Sequence, residues 1–152
     1  MKLINNLKIR SFELPDLNSV FIIDKESFGE DCYPFFFFRQ AYDMFNDLFV
    51  IAEINGEVVG YIIGSIIHNS QAGWIISMAV KKNYRKKGIA TQLIQNLVDL
   101  FSKYKITKIY LTVDPENFDA LNLYQKIGFI NEKSSKDYFG KGNDRIVMHM
   151  EI

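Results

Sequence analysis

The sequence predicts a mixed α/β (α+β) domain built around a central sheet of about seven strands. Three observations indicate this class. Short runs rich in β-branched and aromatic residues recur along the chain, longer segments carry apolar residues at helical spacing, and the two kinds alternate. Their predicted order is a strand, two helices, three strands, a helix, a strand, a helix and two strands. This order is typical of a mixed sheet with helices packed against it.

The composition fits one intracellular domain that spans residues 1–152. Hydrophobic residues make up 48% of the 152, which is enough for one compact core. Eighteen basic residues balance eighteen acidic ones, so no overall charge attracts nucleic acid or an anionic membrane. Cys32 is the only cysteine, which excludes an intrachain disulfide and indicates a reducing, cytoplasmic location. The N-terminus lacks the apolar core of a signal peptide, and the most apolar run, Tyr33–Phe38, is too short to span a bilayer.

The first half of the chain predicts a strand, two helices and a hairpin. Leu7–Arg10 is the first strand, and Pro15 suits the first turn of a helix that apolar spacing extends to Phe28. A second helix opens after Pro34, because four aromatic residues as far as Phe45 fall at helical intervals.

The hairpin has the strongest local signal in the chain. Leu48–Ile54 and Val58–Ile67 are rich in β-branched residues, and Asn55 and Gly56 lie between them. Both turn residues tolerate positive φ, which a tight hairpin turn requires.

The second half predicts a central strand and an amphipathic helix, followed by shorter elements. Trp74–Val80 is an apolar run of strand length, expected to be covered on both faces. Gly88–Tyr104 repeats apolar residues on one helical face and polar residues on the other. The remaining elements are a strand at Lys108–Val113, a helix at Phe118–Ile127 ended by Gly128, a strand from Phe129 toward Lys136, and a closing strand at Arg145–Ile152.

The run RKKGIA, Arg85–Ala90, lies between a predicted strand and a long predicted helix. The first N–H groups of a helix have no intrahelical partners, and the helix dipole makes that end positive. Gly88 would let an anionic ligand approach the backbone closely, as at phosphate sites. Taken alone, the run is more typical of a solvated basic surface than of an anion site, and the pattern leaves both interpretations open.

A second segment, VDPENFDALNLYQKIGF at Val113–Phe129, narrows the interpretation. It follows a strand with a loop asparagine, Asn117, a short helix that carries Tyr124, and a Gly-Phe exit. Together with R-x-x-G-x-A at Arg85–Ala90, it resembles the two signature motifs of the GNAT N-acetyltransferase superfamily in spacing and element order. The resemblance covers nearly the whole chain.

Two further stretches resemble one branch of that superfamily. FGEDCYPFFFF, Phe28–Phe38, is similar with a one-residue gap to the first loop of archaeal and eukaryotic protein N-terminal acetyltransferase catalytic subunits. DYFGKGNDRIVM, Asp137–Met148, resembles their tyrosine-pair hairpin before the last strand. The bacterial ribosomal-protein alanine acetyltransferases belong to the same superfamily.

The resemblance implies acetyl-coenzyme A as acetyl donor and no metal. In the GNAT fold, with helices on both faces of the sheet, the fourth and fifth strands splay around the cofactor, and here these are Trp74–Val80 and Lys108–Val113. Asn117 matches a position that bonds the pantetheine portion. Main-chain groups of three strand residues would bind the pantetheine arm, and a basic loop with the following helix start would hold the pyrophosphate. The strand residues are Met78, Ala79 and Val80, and the loop and helix residues are Arg85, Lys86, Lys87, Gly88, Ile89, Ala90 and Thr91.

The resemblance also implies catalytic roles. Tyr124 matches the general acid that protonates the leaving thiolate. The alternative is a purely structural role, in which its aromatic ring anchors a short helix. The base is unassigned, because Thr112 stands where the bacterial relatives carry a glutamate on a strand. Candidates are Glu30 in the first loop, or a water held by groups such as Ser77 and Thr112.

The peptide entrance is expected to involve Tyr33 and Tyr138, although each could equally be plain packing. A metal site is not expected, since His68 and His149 form no spaced set with Cys32.

The acceptor expected from these features is the N-terminal α-amine of proteins or peptides. An α-amine, with a pKa of about 7.7 to 8.0, is partly neutral at pH 7, whereas lysine at about 10.4 is almost fully charged. A site with a weak base is therefore expected to lose less activity on α-amines than on lysine amines. Alternatives are a small-molecule amine or lysine acetyltransferase, or a non-catalytic acetyl-coenzyme A binding module. Neither a nucleic acid nor a membrane partner is expected. The need for an auxiliary subunit or the ribosome, and the oligomeric state, stay open.

Overall fold

The computed structural model describes residues 4–152. Within these residues, four α-helices and seven strands follow one another in the predicted order, with short 3-10 turns between some of them. The helices are α1 Leu17–Phe28, α2 Phe35–Phe45, α3 Ile89–Lys103 and α4 Phe118–Ile127; the strands are β1 Leu7–Ser11, β2 Phe49–Ile54, β3 Glu57–Ile66, β4 Ala72–Val80, β5 Lys108–Val113, β6 Ile130–Ser135 and β7 Arg145–Glu151.

The strands form one mixed sheet in the order β1-β2-β3-β4-β5-β7-β6. β4 and β5 are parallel, while β1 with β2, β2 with β3, β5 with β7 and β6 with β7 are antiparallel. The fold class predicted from the sequence, including the seven strands and the mixed sheet, is confirmed.

The β2–β3 hairpin turns through the two residues that the sequence indicated. Asn55 has φ +48° and Gly56 has φ +83°, so both occupy the left-handed region. This pair of positive φ values matches the twist of the two strands, which explains why Asn-Gly is favoured there.

The central strand β4 differs from its prediction in burial. Its residues alternate between half-buried and buried from Ala72 to Ala79, and Val80 is buried as well, so one face is less covered than the expected continuous burial. Its parallel pairing with β5 runs over three residue pairs, from Ala72 with Lys108 to Trp74 with Tyr110.

The chain divides into two compact units. The first extends to Ser65 and includes Ile76–Leu100, and the second consists of Ile66–Ile75 and Phe101–Ile152. The expectation of a single domain over residues 1–152 stays a prediction. Within the described residues, no helix combines the length and the apolar character needed to cross a membrane.

The first unit is organised around an aromatic core. Phe12 stacks on Phe49 with ring centroids 4.0 Å apart, and Phe38 meets Tyr61 edge-on at 5.8 Å. The other fully enclosed apolar members of this core are Val20, Ile23, Ala41, Ile51 and Ile63.

The second unit has a close packing point between β4 and the end of α3. A Cβ atom added to Gly73 would lie 2.7 Å from the Phe101 ring, a separation that real side chains do not show. Glycine is therefore required at this position to admit the fully buried phenylalanine.

Candidate active site

The loop before α3 presents a row of main-chain donors. Lys86 has φ +59° and Gly88 has φ +84°, so left-handed residues interrupt the loop just before the helix begins at Ile89. The first bond into the helix runs from the Gln92 N–H to the Gly88 carbonyl, at 3.1 Å. Within residues 4–152, no acceptor pairs with the N–H groups between Lys86 and Thr91. Such a row of free N–H groups at a helix N-terminus suits an anion.

Two contacts hold this loop in place. The Arg85 guanidinium donates from Nε to the Val80 carbonyl at 2.9 Å and from Nη2 to the Ser27 hydroxyl at 3.0 Å. Ile89 and Leu93 are fully buried, which anchors the start of α3. Arg85 is thus already engaged by the protein, whereas the side chains of the two following lysines are exposed.

The predicted pantetheine-binding residues end strand β4 in the same unit. Ala79 and Val80 are buried and Met78 is half-buried. Gly60 of β3 gives room here, since a Cβ on Gly60 would lie 3.2 Å from the Ala79 carbonyl oxygen and 3.3 Å from Leu93. The backbone at the end of β4 therefore lies close to both β3 and the start of α3.

The segment between α1 and α2, residues 29–34, carries Glu30 and Tyr33 and is called the acceptor loop below. Glu30 is exposed in a short 3-10 turn. Tyr33 is half-buried, and its ring stacks on Phe37 with centroids 4.0 Å apart. Burial, followed by the nearby Asp24 charge, raises the pKa of Tyr33.

A buried carboxylate beneath this loop escaped the sequence interpretation. Asp24 lies on α1 with no exposed surface and receives hydrogen bonds from the Tyr33 N–H at 2.8 Å and from the Tyr61 hydroxyl. Burial raises its pKa, more than those hydrogen bonds lower it. One sequence signal existed: Asp24 falls on the apolar face of α1, next to the buried Ile23 and one turn after Val20.

In the second unit, α4 has a capping residue at each end. Asn117 is the N-cap, its side-chain oxygen accepting from the Ala120 N–H at 3.2 Å. Gly128 ends the helix with φ +128°, and a Cβ there would lie 3.2 Å from the sulfur of Met150. The capping bond occupies the amide oxygen of Asn117 and leaves its NH₂ group available as a donor.

Tyr124 of α4 keeps its proton over the whole physiological range. Burial raises the pKa of Tyr124 to about 12. Its ring meets Phe129 edge-on at 5.8 Å, and in the part of the chain that the structure describes, its hydroxyl forms no hydrogen bond. The phenol can therefore donate to a ligand atom without first breaking an internal bond.

The remaining predicted residues of the second unit lie on β5 and in the β6–β7 loop. Thr112 is half-buried on β5, opposite Val147 of β7. Tyr138 is exposed, in edge-on contact with Phe139, whose ring also meets the Arg145 guanidinium at 5.2 Å. Among the described residues, no group of three His, Cys, Asp or Glu side chains could hold a metal ion.

The sequence profile of the Acetyltransferase (GNAT) family matches residues 14–129. The chain belongs to this family. An N-alpha-acetyltransferase of Sulfurisphaera tokodaii is 32% identical over 152 aligned residues, which cover 93% of this chain and 90% of the relative. This GNAT chain is therefore an N-acetyltransferase.

Solved structures agree with the GNAT architecture. Ard1 from Thermoplasma volcanium has a TM-score of 0.89 at 24% identity and covers 97% of this chain and 98% of that one. A chain of the NatC complex, solved with a Gag peptide and coenzyme A, has a TM-score of 0.84 at 23% identity, with 97% and 99% covered. At these identities the likeness shows the fold.

Proposed function

We propose that this acetyltransferase uses acetyl-coenzyme A to acetylate the N-terminal α-amine of proteins or peptides. The observation that carries the proposal is the row of unpaired N–H groups between Lys86 and Thr91, next to a helix that Ile89 and Leu93 anchor. The relative from Sulfurisphaera tokodaii, named for α-amine acetylation, supports the choice of acceptor. The NatC structure, which holds a peptide and coenzyme A, supports the pairing of these two ligands on this fold.

The loop residues fit a pyrophosphate group. Backbone N–H donors at a helix N-terminus bind phosphate without needing a particular side chain, and Gly88, with positive φ, places no side chain among them. The exposed Lys86 and Lys87 add positive charge around the donors. Met78, Ala79 and Val80 would hold the pantetheine arm through the main chain, and the NH₂ group of Asn117 would donate to it.

When bound, acetyl-coenzyme A supplies the acetyl group as a thioester, whose C–S bond breaks as the amine nitrogen bonds to the carbonyl carbon. Tyr124 would donate its proton toward the departing sulfur. Its pKa of about 12 lies roughly 3.5 units above that of a thiol, so full transfer to a free thiolate costs about 5 kcal/mol. Tyr124 would therefore act mainly by hydrogen-bonding the negative charge as it develops on sulfur.

The attacking nitrogen must be neutral, and the residues that could remove its proton are weak bases. Glu30 is exposed and Thr112 carries a hydroxyl where a carboxylate would be a stronger base. An α-amine needs less help than a lysine amine, since its pKa of about 8 lies nearer to neutrality. This difference favours an α-amine as acceptor, with Tyr33 and Tyr138 lining the approach of the peptide.

The experiment is a thiol-release assay with acetyl-coenzyme A and three matched acceptor sets. The first contains peptides with free N-termini, the second the same peptides with a blocked N-terminus and one internal lysine, and the third small polyamines. We expect release with the first set and little with the others. Faster turnover of the lysine peptides or the polyamines would refute the α-amine assignment, and no turnover in any set would favour a binding module.

An auxiliary subunit and a cytosolic location remain parts of the proposal. The NatC neighbour is a chain of a complex, so the assay is best run on the purified chain alone and after addition of cell extract. Stimulation by extract of the wild-type chain, absent from a Tyr124→Phe variant, would indicate a partner.

A further inference from the structure

Asp24 is a fully buried carboxylate without a cation. It lies on α1, and no ion pair reaches it from any described lysine, arginine or histidine. The titratable or hydroxyl groups that face it are Tyr61 of β3, Ser77 of β4 and Tyr33 of the acceptor loop. When Asp24 is ionised, hydrogen bonds alone among the described residues stabilise its charge.

The two carboxylate oxygens of Asp24 serve different parts of the unit. Oδ2 accepts from the main-chain N–H of Tyr33 at 2.8 Å, and Oδ1 accepts from the Tyr61 hydroxyl. The Ser77 hydroxyl lies 2.7 Å from that of Tyr61 and 3.5 Å from Oδ1. Because the single proton of Tyr61 points to Asp24, the Ser77 hydroxyl is the donor in its contacts with the Tyr61 oxygen and with Oδ1. One carboxylate thus joins the acceptor loop to β3 and β4.

Stability alone does not explain a buried carboxyl group at this place. Burying a charge without a counter-ion is costly, and an uncharged side chain of similar size would avoid that cost. An ionised carboxylate does provide two strong acceptor sites with fixed directions. This arrangement fixes the Tyr33 backbone relative to Tyr61 of β3 and to Ser77 of β4. Met78, which follows Ser77 on β4, is a proposed cofactor contact.

We propose that Asp24 is a positioning residue for the acceptor amine, which holds the acceptor loop against strand β3 through the Tyr33 N–H and the Tyr61 hydroxyl and reaches β4 through the Ser77 hydroxyl. This inference rests on the proposed function. It adds a residue that touches neither ligand yet sets where the amine is presented. A displacement of about 1 Å at a reacting group can cost about 100-fold in rate, so the loop needs a rigid anchor.

The test compares Asp24→Asn with Asp43→Asn, an exposed aspartate on α2 whose only described ion pair is with Arg39. Steady-state kinetics are measured separately for the peptide and for acetyl-coenzyme A. For Asp24→Asn we expect kcat/KM for the peptide to fall about 10- to 100-fold, with KM for acetyl-coenzyme A within about twofold and the thermal midpoint at pH 7 not lowered. Asp43→Asn should match the wild type. An unchanged kcat/KM for the peptide, or parallel loss for both substrates with a lowered midpoint, would overturn the proposal.

A further variant tests the anchor from its other end. Tyr61→Phe removes the bond to Oδ1 and keeps the buried ring, so it should lower kcat/KM for the peptide in the same direction as Asp24→Asn. An unchanged kcat/KM for the peptide in Tyr61→Phe would contradict an anchor that runs through Oδ1.

A structural measurement keeps the anchor testable even if no peptide is acetylated. The Tyr33 amide should exchange hydrogen with solvent faster in Asp24→Asn than in Asp43→Asn, because it loses a charged acceptor. An inactive wild type would then refute the proposed function alone. Equal exchange rates at Tyr33 would refute the anchor alone.

Discussion

At the scale of single residues, the candidate side chains divide into those that form internal bonds and those that do not. The Arg85 guanidinium and the side-chain oxygen of Asn117 both serve the fold, one on Val80 and Ser27 and the other as a helix cap. The Tyr124 hydroxyl has no such partner among residues 4–152. Tyr124 is therefore the side chain whose removal should affect chemistry most cleanly.

Tyr124→Phe should lower kcat about 10²- to 10³-fold, the usual cost of removing a hydrogen-bond donor to charge that develops in the transition state, while KM for acetyl-coenzyme A stays within about twofold. Burial raises the pKa of Tyr124 to about 12, so ionisation of this residue should cause no loss of wild-type activity until the pH approaches that value. Tyr42→Phe, which removes a hydroxyl from a half-buried tyrosine of α2, is the control. Equal kcat values for Tyr124→Phe and the wild type would exclude Tyr124 as the acid.

Sequence spacing could identify Tyr124, Asn117 and Gly88 as candidates, because each belongs to a short local motif. It could not find the Asp24 site. The bonds there join α1 to residues 37 and 53 positions away, and such partners follow only from the folded sheet. The engagement of Arg85 by Ser27, 58 positions earlier, was hidden for the same reason.

At the scale of elements, local turn and periodicity signals were enough for order and boundaries. The hairpin at Asn55 and Gly56 and the helix end at Gly128 follow from φ requirements of the residues themselves. The alternating burial of β4 was not predicted, because an apolar run cannot reveal how well each face is covered. Coverage depends on which elements pack there.

The loop before α3 gives an element-scale prediction with a closely matched control. Gly88→Glu introduces a side chain and a negative charge where N–H groups converge, so binding of coenzyme A should fall at least about 100-fold, which corresponds to roughly 2.7 kcal/mol. Gly56→Glu imposes the same substitution at φ +83°, against +84° at Gly88, and in open space. Calorimetric titration should show near-normal binding for Gly56→Glu. Normal binding by Gly88→Glu would remove the anion site from the proposal.

Packing of Gly73 against Phe101 gives a second prediction at this scale. Gly73→Ala forces the fully buried ring or its strand to move, and overpacking of this kind costs about 1 to 3 kcal/mol in the free energy of unfolding. Urea denaturation measures the loss, and Gly142→Ala, where an added Cβ meets nothing within 4 Å, reports the strain of a positive φ alone. A loss in Gly73→Ala below about 0.5 kcal/mol would show that Phe101 adapts freely.

At the scale of the whole molecule, basic and acidic residues cancel, eighteen against eighteen, so local environments rather than net charge govern how stability varies with pH. The pKa values of two aspartates of the first unit shift in opposite directions. Burial raises the pKa of Asp24 above its usual value near 3.8. Burial also acts upward on Asp16, but hydrogen bonds from Arg10 and the Glu13 N–H outweigh it and lower the pKa.

The two shifts predict opposite pH dependences for a pair of Asp→Asn variants. Asp16 contributes stability that is present above pH 3.8 and is lost as pH falls through its lowered folded pKa. The free energy of unfolding of the wild type should therefore rise relative to that of Asp16→Asn as pH increases through this acidic range. The folded state holds the Asp24 proton more tightly than the unfolded state, so the wild type should lose stability relative to Asp24→Asn as pH rises from 3.8 through the raised pKa.

Unfolding free energies from urea titrations between about pH 3 and 7 provide the measurement, because these pH values bracket the usual pKa of aspartate. The slope of each difference against pH is diagnostic even if the substitution also changes packing. Slopes of the same sign for both variants would contradict the assigned environments.

The main-chain character of the loop before α3 also makes the protein suitable for a fluorescent sensor. The side chain of Thr91 is exposed on the first helical turn, so a Thr91→Cys substitution leaves the N–H groups in place. Only one natural thiol, the half-buried Cys32, competes for labelling, and a Cys32→Ser background removes it. An environment-sensitive dye attached at position 91 should then report ligand arrival in real time, without a coupled enzyme assay.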